Sequence, residues 1–219
     1  KSFIDFDELG INDVVEMLRK ANMEAILRDF GRRARKDDPV FYFYEDFIHE
    51  YDATKRKKRG LYFTPPPVVS FIVRSVDETL RKEFGLKDGL ADTTTWGEMI
   101  KRNPEIKFPN HTKPEDPFVQ ILDPATGTGT FLVEVIDLIH KTMTSKWESQ
   151  DKSEEEIMRL WNDYIPRHLL PRLYGFELMM APYTIAHMKL GLKLYETGYT
   201  FSSTERARIY LTNSLEEQK

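Results

Sequence analysis

Two acids and a pair of glycines are the residues of this sequence best placed to do chemistry. The run Asp123-Pro124-Ala125-Thr126-Gly127-Thr128-Gly129 follows a short apolar stretch and opens a helical pattern through Phe131, Leu132, Val135, Ile136 and Ile139. Gly127 and Gly129 permit a tight turn and let the backbone approach a ligand with no Cβ in the way. The helix behind them offers free N–H groups and the positive end of its dipole. Asp123, at the carboxyl end of the preceding strand, adds an acceptor for a cationic amine. A ligand carrying both a carboxylate and an ammonium matches that pair of charges. A plain strand–helix turn would use the same glycines, so their spacing alone leaves both readings open.

Glu177 strengthens the ligand reading. It closes a second apolar stretch, Leu173 to Phe176. In nucleotide-binding doubly wound folds an acid at that place accepts hydrogen bonds from both ribose hydroxyls. The separation from Asp123 exceeds the roughly 20 residues usual for such an acid, and the excess falls in a charged, helical insertion over 144–171. The plainer reading of Glu177 is a surface acid before a turn. The histidines His49, His111, His140, His168 and His187 lack metal-ligand spacing, so no metal site is expected. The run Phe41-Tyr42-Phe43-Tyr44 could stack on bases, but a helix of this kind more simply packs a core. Trp147 and Trp161 read as anchors of the insertion.

The elements that must position these residues follow from the pattern around them. Strands are expected over 118–122, 173–176 and 208–211, the last ending in Thr212-Asn213. Thr64 before Pro65, Pro66 and Pro67 reads as the N-cap of a helix, because proline is tolerated only in the first turn. Its expected buried stripe is Val68, Val69, Ile72, Val76, Leu80 and Phe84, with Gly85 or Gly89 at its end. A further helix runs from Tyr183 to Tyr195, with Ile185, Met188, Leu192 and Tyr195 on one face. Residues 86–117, rich in Thr, Pro, Asn, Lys and Gly, read as a surface excursion with one short helix around Trp96 to Ile100.

Residues 1–60 read as a helical segment. Val14, Val15, Leu18, Ala21, Ala25, Ile26 and Phe30 recur at three and four, and Asp38-Pro39 opens a second helix through Phe43, Phe47 and Tyr51. The basic run Lys55 to Arg59 reads as a solvated linker, with a phosphate-contacting patch as the sharper alternative. Strands alternating with helices give an α/β fold with a parallel, doubly wound sheet. Right-handed crossovers put the strands in the order 3-2-1, half of such a sheet.

Composition bounds the function. The sequence has 219 residues, enough for one sizeable domain or a domain with a helical extension. It begins at Lys1, so the natural N-terminus is expected upstream. With 32 basic and 36 acidic residues the net charge is −4, and the basic footprint usual for a nucleic-acid binder is missing from the chain as a whole. Any DNA-binding surface is therefore local or lies in other sequence. Cysteine is absent, which excludes disulfides and thiolate chemistry and suits a reducing compartment. No apolar run approaches the roughly 20 residues of a membrane span.

Several stretches together resemble one family. Leu61-Tyr62-Phe63-Thr64-Pro65-Pro66-Pro67-Val68-Val69 is similar to the N-terminal motif of the gamma-ordered adenine-N6 DNA methyltransferases. Asp123 to Leu132 resembles their S-adenosylmethionine loop, with Thr126 where a small residue or Cys is usual. Gly175-Phe176-Glu177 resembles their ribose-binding segment, and Leu211-Thr212-Asn213-Ser214-Leu215 their third cofactor segment, with Asn213 where Asp is more common. The match covers about residues 60–219. Residues 1–60 with Lys55 to Arg59 resemble the helical coupler of the single-polypeptide, ATP-dependent Type ISP restriction–modification enzymes, where a nuclease and a helicase-like motor precede it.

The resemblance implies a Rossmann-like, S-adenosylmethionine-dependent domain over 61–219 after a coupler over 1–60, in the cytoplasm of a prokaryote. It implies that Thr64 closes over the methionine end and that Asp123, Ala125 and Gly127 line the methionine and sulfonium side, with Phe131 packed nearby. Glu177 would hold the ribose, Leu178 would flank the adenine, and Asn213 would face the adenine N6 amine as an uncharged acceptor. Double-stranded DNA is the implied partner of the complete enzyme. The family's catalytic Asn-Pro-Pro-aromatic segment has no match here. Asn103-Pro104-Glu105-Ile106 lacks the second Pro and the aromatic and precedes the cofactor loop. These 219 residues alone are therefore expected not to methylate DNA, since the target base must be flipped out and held. The alternatives are a methyltransferase for another substrate and a non-catalytic coupling module with a vestigial cofactor site.

Overall fold

The computed structural model describes residues 64–201 and 206–214. The chain divides at Gly60–Leu61, and everything described belongs to the second unit. The expectations placed on 1–60, including the aromatic run and Lys55 to Arg59, lie outside the described residues. The architecture is an open sheet of three parallel strands flanked by helices. In chain order come α1 (Pro66–Phe84), a short 3-10 turn (Gly89–Ala91), α2 (Trp96–Arg102) and β1 (Ile121–Asp123). Then follow α3 (Thr130–Glu148), α4 (Glu154–Tyr164), a π turn (Ile165–Leu169), a 3-10 turn (Leu170–Arg172), β2 (Leu173–Glu177), α5 (Met180–Glu196) and β3 (Arg208–Leu211).

The strand order is β1-β2-β3, the expected 3-2-1 half-sheet of a Rossmann-like fold. Ile121 pairs with Leu173 and Asp123 with Gly175; Tyr174 pairs with Arg208 and Glu177 with Leu211. The register brings Asp123 and Glu177 to the same end of the sheet. Helix α5 packs on β2 and β3, and both α1 and α5 pack on α3. The core is built from Leu132, Val135, Ile136 and Ile139 of α3, the face expected from the sequence, together with Leu173, Ala186, Leu190 and Ile209.

The first strand is shorter than 118–122 and shifted to 121–123. Phe118 donates its N–H to Thr94 O at 2.9 Å, and Pro117 bridges Thr95, so these residues belong to the preceding excursion. The Phe118 ring packs 4.7 Å from Trp96 and 5.8 Å from Phe84. That excursion is not confined to the surface either. Leu86, Leu90, Ala91 and Met99 are buried, because four apolar side chains spaced among polar ones suffice to dock a loop.

Thr64 does not cap α1. The cap is Pro65, with no side-chain hydrogen bond. Pro66 and Pro67 have no N–H to satisfy. The first two amides of the helix, Val68 and Val69, both donate to Pro65 O at 2.9 and 3.1 Å, so no side-chain acceptor is needed.

The buried face of α1 is Val69, Val73 and Asp77, whereas Val68, Ile72, Val76 and Phe84 of the expected stripe are exposed. The core claims the i, i+4 row that carries Asp77, because Asp77 accepts the Leu90 N–H at 2.7 Å and pairs with Arg81. Helix α5 shows a similar rotation. Its buried face holds Pro182, Ala186, Lys189, Leu190 and Leu194, while Met188 and Tyr195 are exposed.

The insertion is helical and anchored by both tryptophans. Ser153 caps α4 with a reciprocal Glu156 bond, and Trp161 stacks on Tyr164 at 5.7 Å. Trp147 meets the same Tyr164 ring edge-on at 6.4 Å.

Candidate functional site

The site lies at the carboxyl ends of β1 and β2, where open α/β sheets bind ligands. Asp123 ends β1 and turns its side chain back: Oδ1 accepts the Ala125 N–H at 3.1 Å. Oδ2 is buried with no partner. Burial pushes the Asp123 carboxyl above the usual carboxylate range; the Ala125 N–H opposes this, and the neighbouring charge of Glu177 adds to it. A buried lone-pair oxygen aimed at nothing is costly unless something else supplies a proton or a positive charge.

Glu177 ends β2 and is only 8% exposed. Its Oε2 accepts the Gly127 N–H at 2.9 Å, and Oε1 accepts the Met179 N–H at 2.8 Å. The carboxylate thus ties the glycine turn to the start of the next turn, and each oxygen keeps a lone pair. Its own carbonyl accepts the Thr212 N–H at 2.8 Å, which draws in the segment after β3. Ser214 Oγ donates to Pro124 O at 3.0 Å and closes that segment over the turn after β1.

Gly127 has φ 55°, and a Cβ there would meet nothing within 4 Å. The turn is therefore held left-handed with open space beside it, as a backbone approached by a ligand requires. Gly129 has φ 84°, and a Cβ there would in addition press on Leu190 and Ala186 of α5 at 2.9 and 3.2 Å.

The structure gathers Asp123, Ala125, Gly127 and Glu177 into one hydrogen-bonded cluster. Leu178 stands beside it, 64% exposed. Asn213 is half-buried in the segment that Thr212 and Ser214 draw in. Phe131 is half-buried and lines, with Asp123 and Pro124, an apolar groove of about 500 Å³ whose far wall is Ile72, Val76 and Leu80 of α1. Thr64 is half-buried one residue before the cap of α1, and the hydrogen bonds that build the turn do not involve it.

The sequence named Thr126 only as a departure from the family's loop and Gly175 only within the ribose-binding segment, with no role for either; Thr126 is 4% exposed at the centre of the turn, and Gly175 lies beneath it. The available signal was Thr126 itself, a β-branched residue inside a glycine turn. The sequence reading passed over the Met179 amide, which nothing in a side-chain pattern could reveal.

Among the described residues no three His, Asp or Glu side chains gather as metal ligands, and no helix is long and apolar enough to cross a membrane.

No family model matches the sequence. A protein of Methanocaldococcus jannaschii named as a type II restriction enzyme and methyltransferase is 22% identical over 97% of this chain, which spans 18% of that protein. The cryoEM structure of a DrdV–DNA complex aligns with a TM-score of 0.49 and 25% identity, over 80% of this chain and 12% of that one. A nuclease-deletion mutant of the Type ISP restriction–modification enzyme LlaGI, with a DNA substrate mimic, aligns at 0.46 and 25%, over 92% and 14%. The ATP-dependent Type ISP enzyme LlaBIII bound to DNA aligns at 0.42 and 27%, over 69% and 8%. The chain spans less than a fifth of each of these proteins, and over that span it is weakly similar in sequence to a restriction enzyme and methyltransferase.

Proposed function

We propose that this chain is the S-adenosylmethionine-binding part of a DNA adenine-N6 methyltransferase in a restriction–modification enzyme. The observation that carries the reading is the pairing of Glu177, fixed to the Gly127 amide, with the unpartnered Oδ2 of Asp123. The residues fit such a cofactor. Asp123 Oδ2 would accept a hydrogen bond from a cationic amine, and the backbone at Gly127 has open space beside it. Glu177 keeps a free lone pair on each oxygen for the two ribose hydroxyls, and exposed Leu178 offers an apolar face to an adenine ring. Thr64, Ala125 and Phe131 complete the methionine side, and Asn213 accepts from the adenine amine.

When bound, the cofactor would supply an electrophilic methyl group. The chain's own part is to hold the donor: Asp123 takes the ammonium, Glu177 the ribose, and the α3 N-terminus the carboxylate. Residues that flip and grip the target base would come from an Asn-Pro-Pro-aromatic segment, and the 219 residues hold none. DNA, a nuclease and a helicase-like motor in the same polypeptide, a coupler over 1–60 and a prokaryotic cytoplasm belong to the same proposal.

A second reading, a coupling module with a vestigial site, is favoured by one fact: both Glu177 oxygens already accept backbone N–H groups. Calorimetry with S-adenosylmethionine separates the two. The proposal expects binding that Asp123→Ala and Glu177→Ala each weaken, and affinity unchanged from wild type in both variants would refute the site. A labelled-methyl assay on mixed-sequence DNA should show no transfer by these 219 residues and transfer by a chain that also holds the missing motif.

A further inference from the structure

We infer that Thr126 is the positioning residue of this site, acting through Gly175 to set where Asp123 and Glu177 stand relative to each other. The inference rests on the cofactor reading above and goes beyond it, because Thr126 need touch no ligand.

Thr126 uses every polar atom it has. Its N–H donates to Phe176 O at 2.9 Å, extending the β1–β2 ladder by one bond past the end of β1. Its Oγ1 donates to Asp123 O at 3.0 Å. Its carbonyl accepts the Gly129 N–H at 2.9 Å. One residue therefore ties the last residue of β1, the penultimate residue of β2 and the residue before α3 together.

Its side chain also lies flat on β2. A Cβ at Gly175 would collide with Thr126 Oγ1, and would press on Thr126 Cγ2 at 3.3 Å and Leu132 Cδ1 at 3.2 Å. Gly175 is extended strand, paired with Asp123 on one side and Ile209 on the other, so its glycine is needed for space and not for a special φ. The hydroxyl on Gly175 thus sets the height of the turn above β2. The functional residues hang from that point on either side. Ala125, one residue before, donates to Asp123; Gly127, one residue after, donates to Glu177.

The chemistry distinguishes close relatives of threonine. Serine keeps the Oγ–Asp123 bond and the contact with Gly175. Valine keeps the volume, loses the donor and leaves Asp123 O without the Oγ1 donor. Alanine loses both but opens the space that a Cβ at position 175 would need.

The experiment measures S-adenosylmethionine affinity by calorimetry and the thermal midpoint in the full chain, for Thr126→Ser, Thr126→Val, Gly175→Ala, Thr126→Ala and the Thr126→Ala/Gly175→Ala double variant. Thr126→Val should lower the midpoint, because the Asp123 carbonyl loses its hydroxyl donor, and should also weaken binding about tenfold as the turn shifts. Thr126→Ser should recover most of that loss. Gly175→Ala should lower the midpoint, and adding Thr126→Ala should raise it again. Wild-type affinity in Thr126→Val, or a double variant no more stable than Gly175→Ala, would overturn the inference. No binding by wild type, with the thermal compensation intact, would overturn the cofactor reading and leave the Thr126–Gly175 interlock standing.

Discussion

Two polar clusters sit inside this unit, and they are finished differently. Around Arg172 the cluster is closed. Arg172 is 1% exposed; Nε donates to His168 O at 2.6 Å, Nη1 to Asp92 O and Nη2 to Tyr164 Oη, both at 2.7 Å. Tyr164 Oη in turn donates a hydrogen bond to Ala91 O at 2.7 Å. The 86–92 loop, α4 and the entry to β2 are joined by one set of satisfied bonds. Around Asp123 the cluster is open: Oδ2 is buried without a partner and burial raises the acid's pKa. A closed polar cluster fixes a fold, whereas a buried acid oxygen left without a partner at a strand end makes that end a candidate binding site.

The largest expected effect breaks the closed cluster. Arg172→Ala should destabilise the fold by about 3 kcal/mol, since it strands a tyrosine oxygen and buried carbonyls that the guanidinium satisfied. Urea denaturation measures it, and a loss within about 0.5 kcal/mol, as for a surface site, would show the cluster is not needed.

Breaking the open cluster should read out in ligand affinity instead. Glu177→Ala should cost about 1.5–3 kcal/mol in S-adenosylmethionine binding, roughly ten- to a hundredfold. Its stability cost should be smaller than that of Arg172→Ala, because water can reach the two freed amides at the strand end. A larger loss of stability than of affinity would reverse the contrast.

Asp123→Asn sharpens it further. The folded-state pKa of Asp123 is raised, so the folded protein holds its proton to higher pH than the unfolded chain does. Stability from this group therefore falls as pH rises from the ordinary carboxylate value through the raised one. Above that window the ionised Asp123 opposes folding. The asparagine variant should melt higher than wild type at neutral pH and lose that advantage below the ordinary aspartate pKa, while binding S-adenosylmethionine more weakly. Thermal melts at neutral and acid pH give the answer; a lower midpoint at neutral pH would contradict it.

The smallest effect expected is at Asn213. Asn213→Asp should preserve or tighten cofactor binding, by up to a few fold, since a carboxylate accepts the adenine amine more strongly than an amide oxygen. A large loss in titration would move Asn213 away from the adenine.

Local sequence determined a good deal. The glycine turn and α3, the second acid-bearing strand and the helical insertion with its two tryptophans were legible, because glycines, strand-end acids and long 3.6-residue periods report on backbone conformation within a few residues. The first strand was placed too early. The parallel 3-2-1 order followed from alternation of strands and helices. Other features needed the tertiary structure. Helix α1 carries two rows of apolar residues, and hydrophobicity alone does not say which faces inward. The Asp77 bond to the Leu90 amide fixes the rotation, and that partner lies 13 residues away. The same holds at the site. The sequence placed Asp123 and Glu177 at strand ends, but only the fold could show that Glu177 grips the Gly127 amide across 50 residues. Only the fold, too, could seat Thr126 on Gly175. A hydrogen bond between distant residues depends on register and packing distance, which no local pattern of residue types contains.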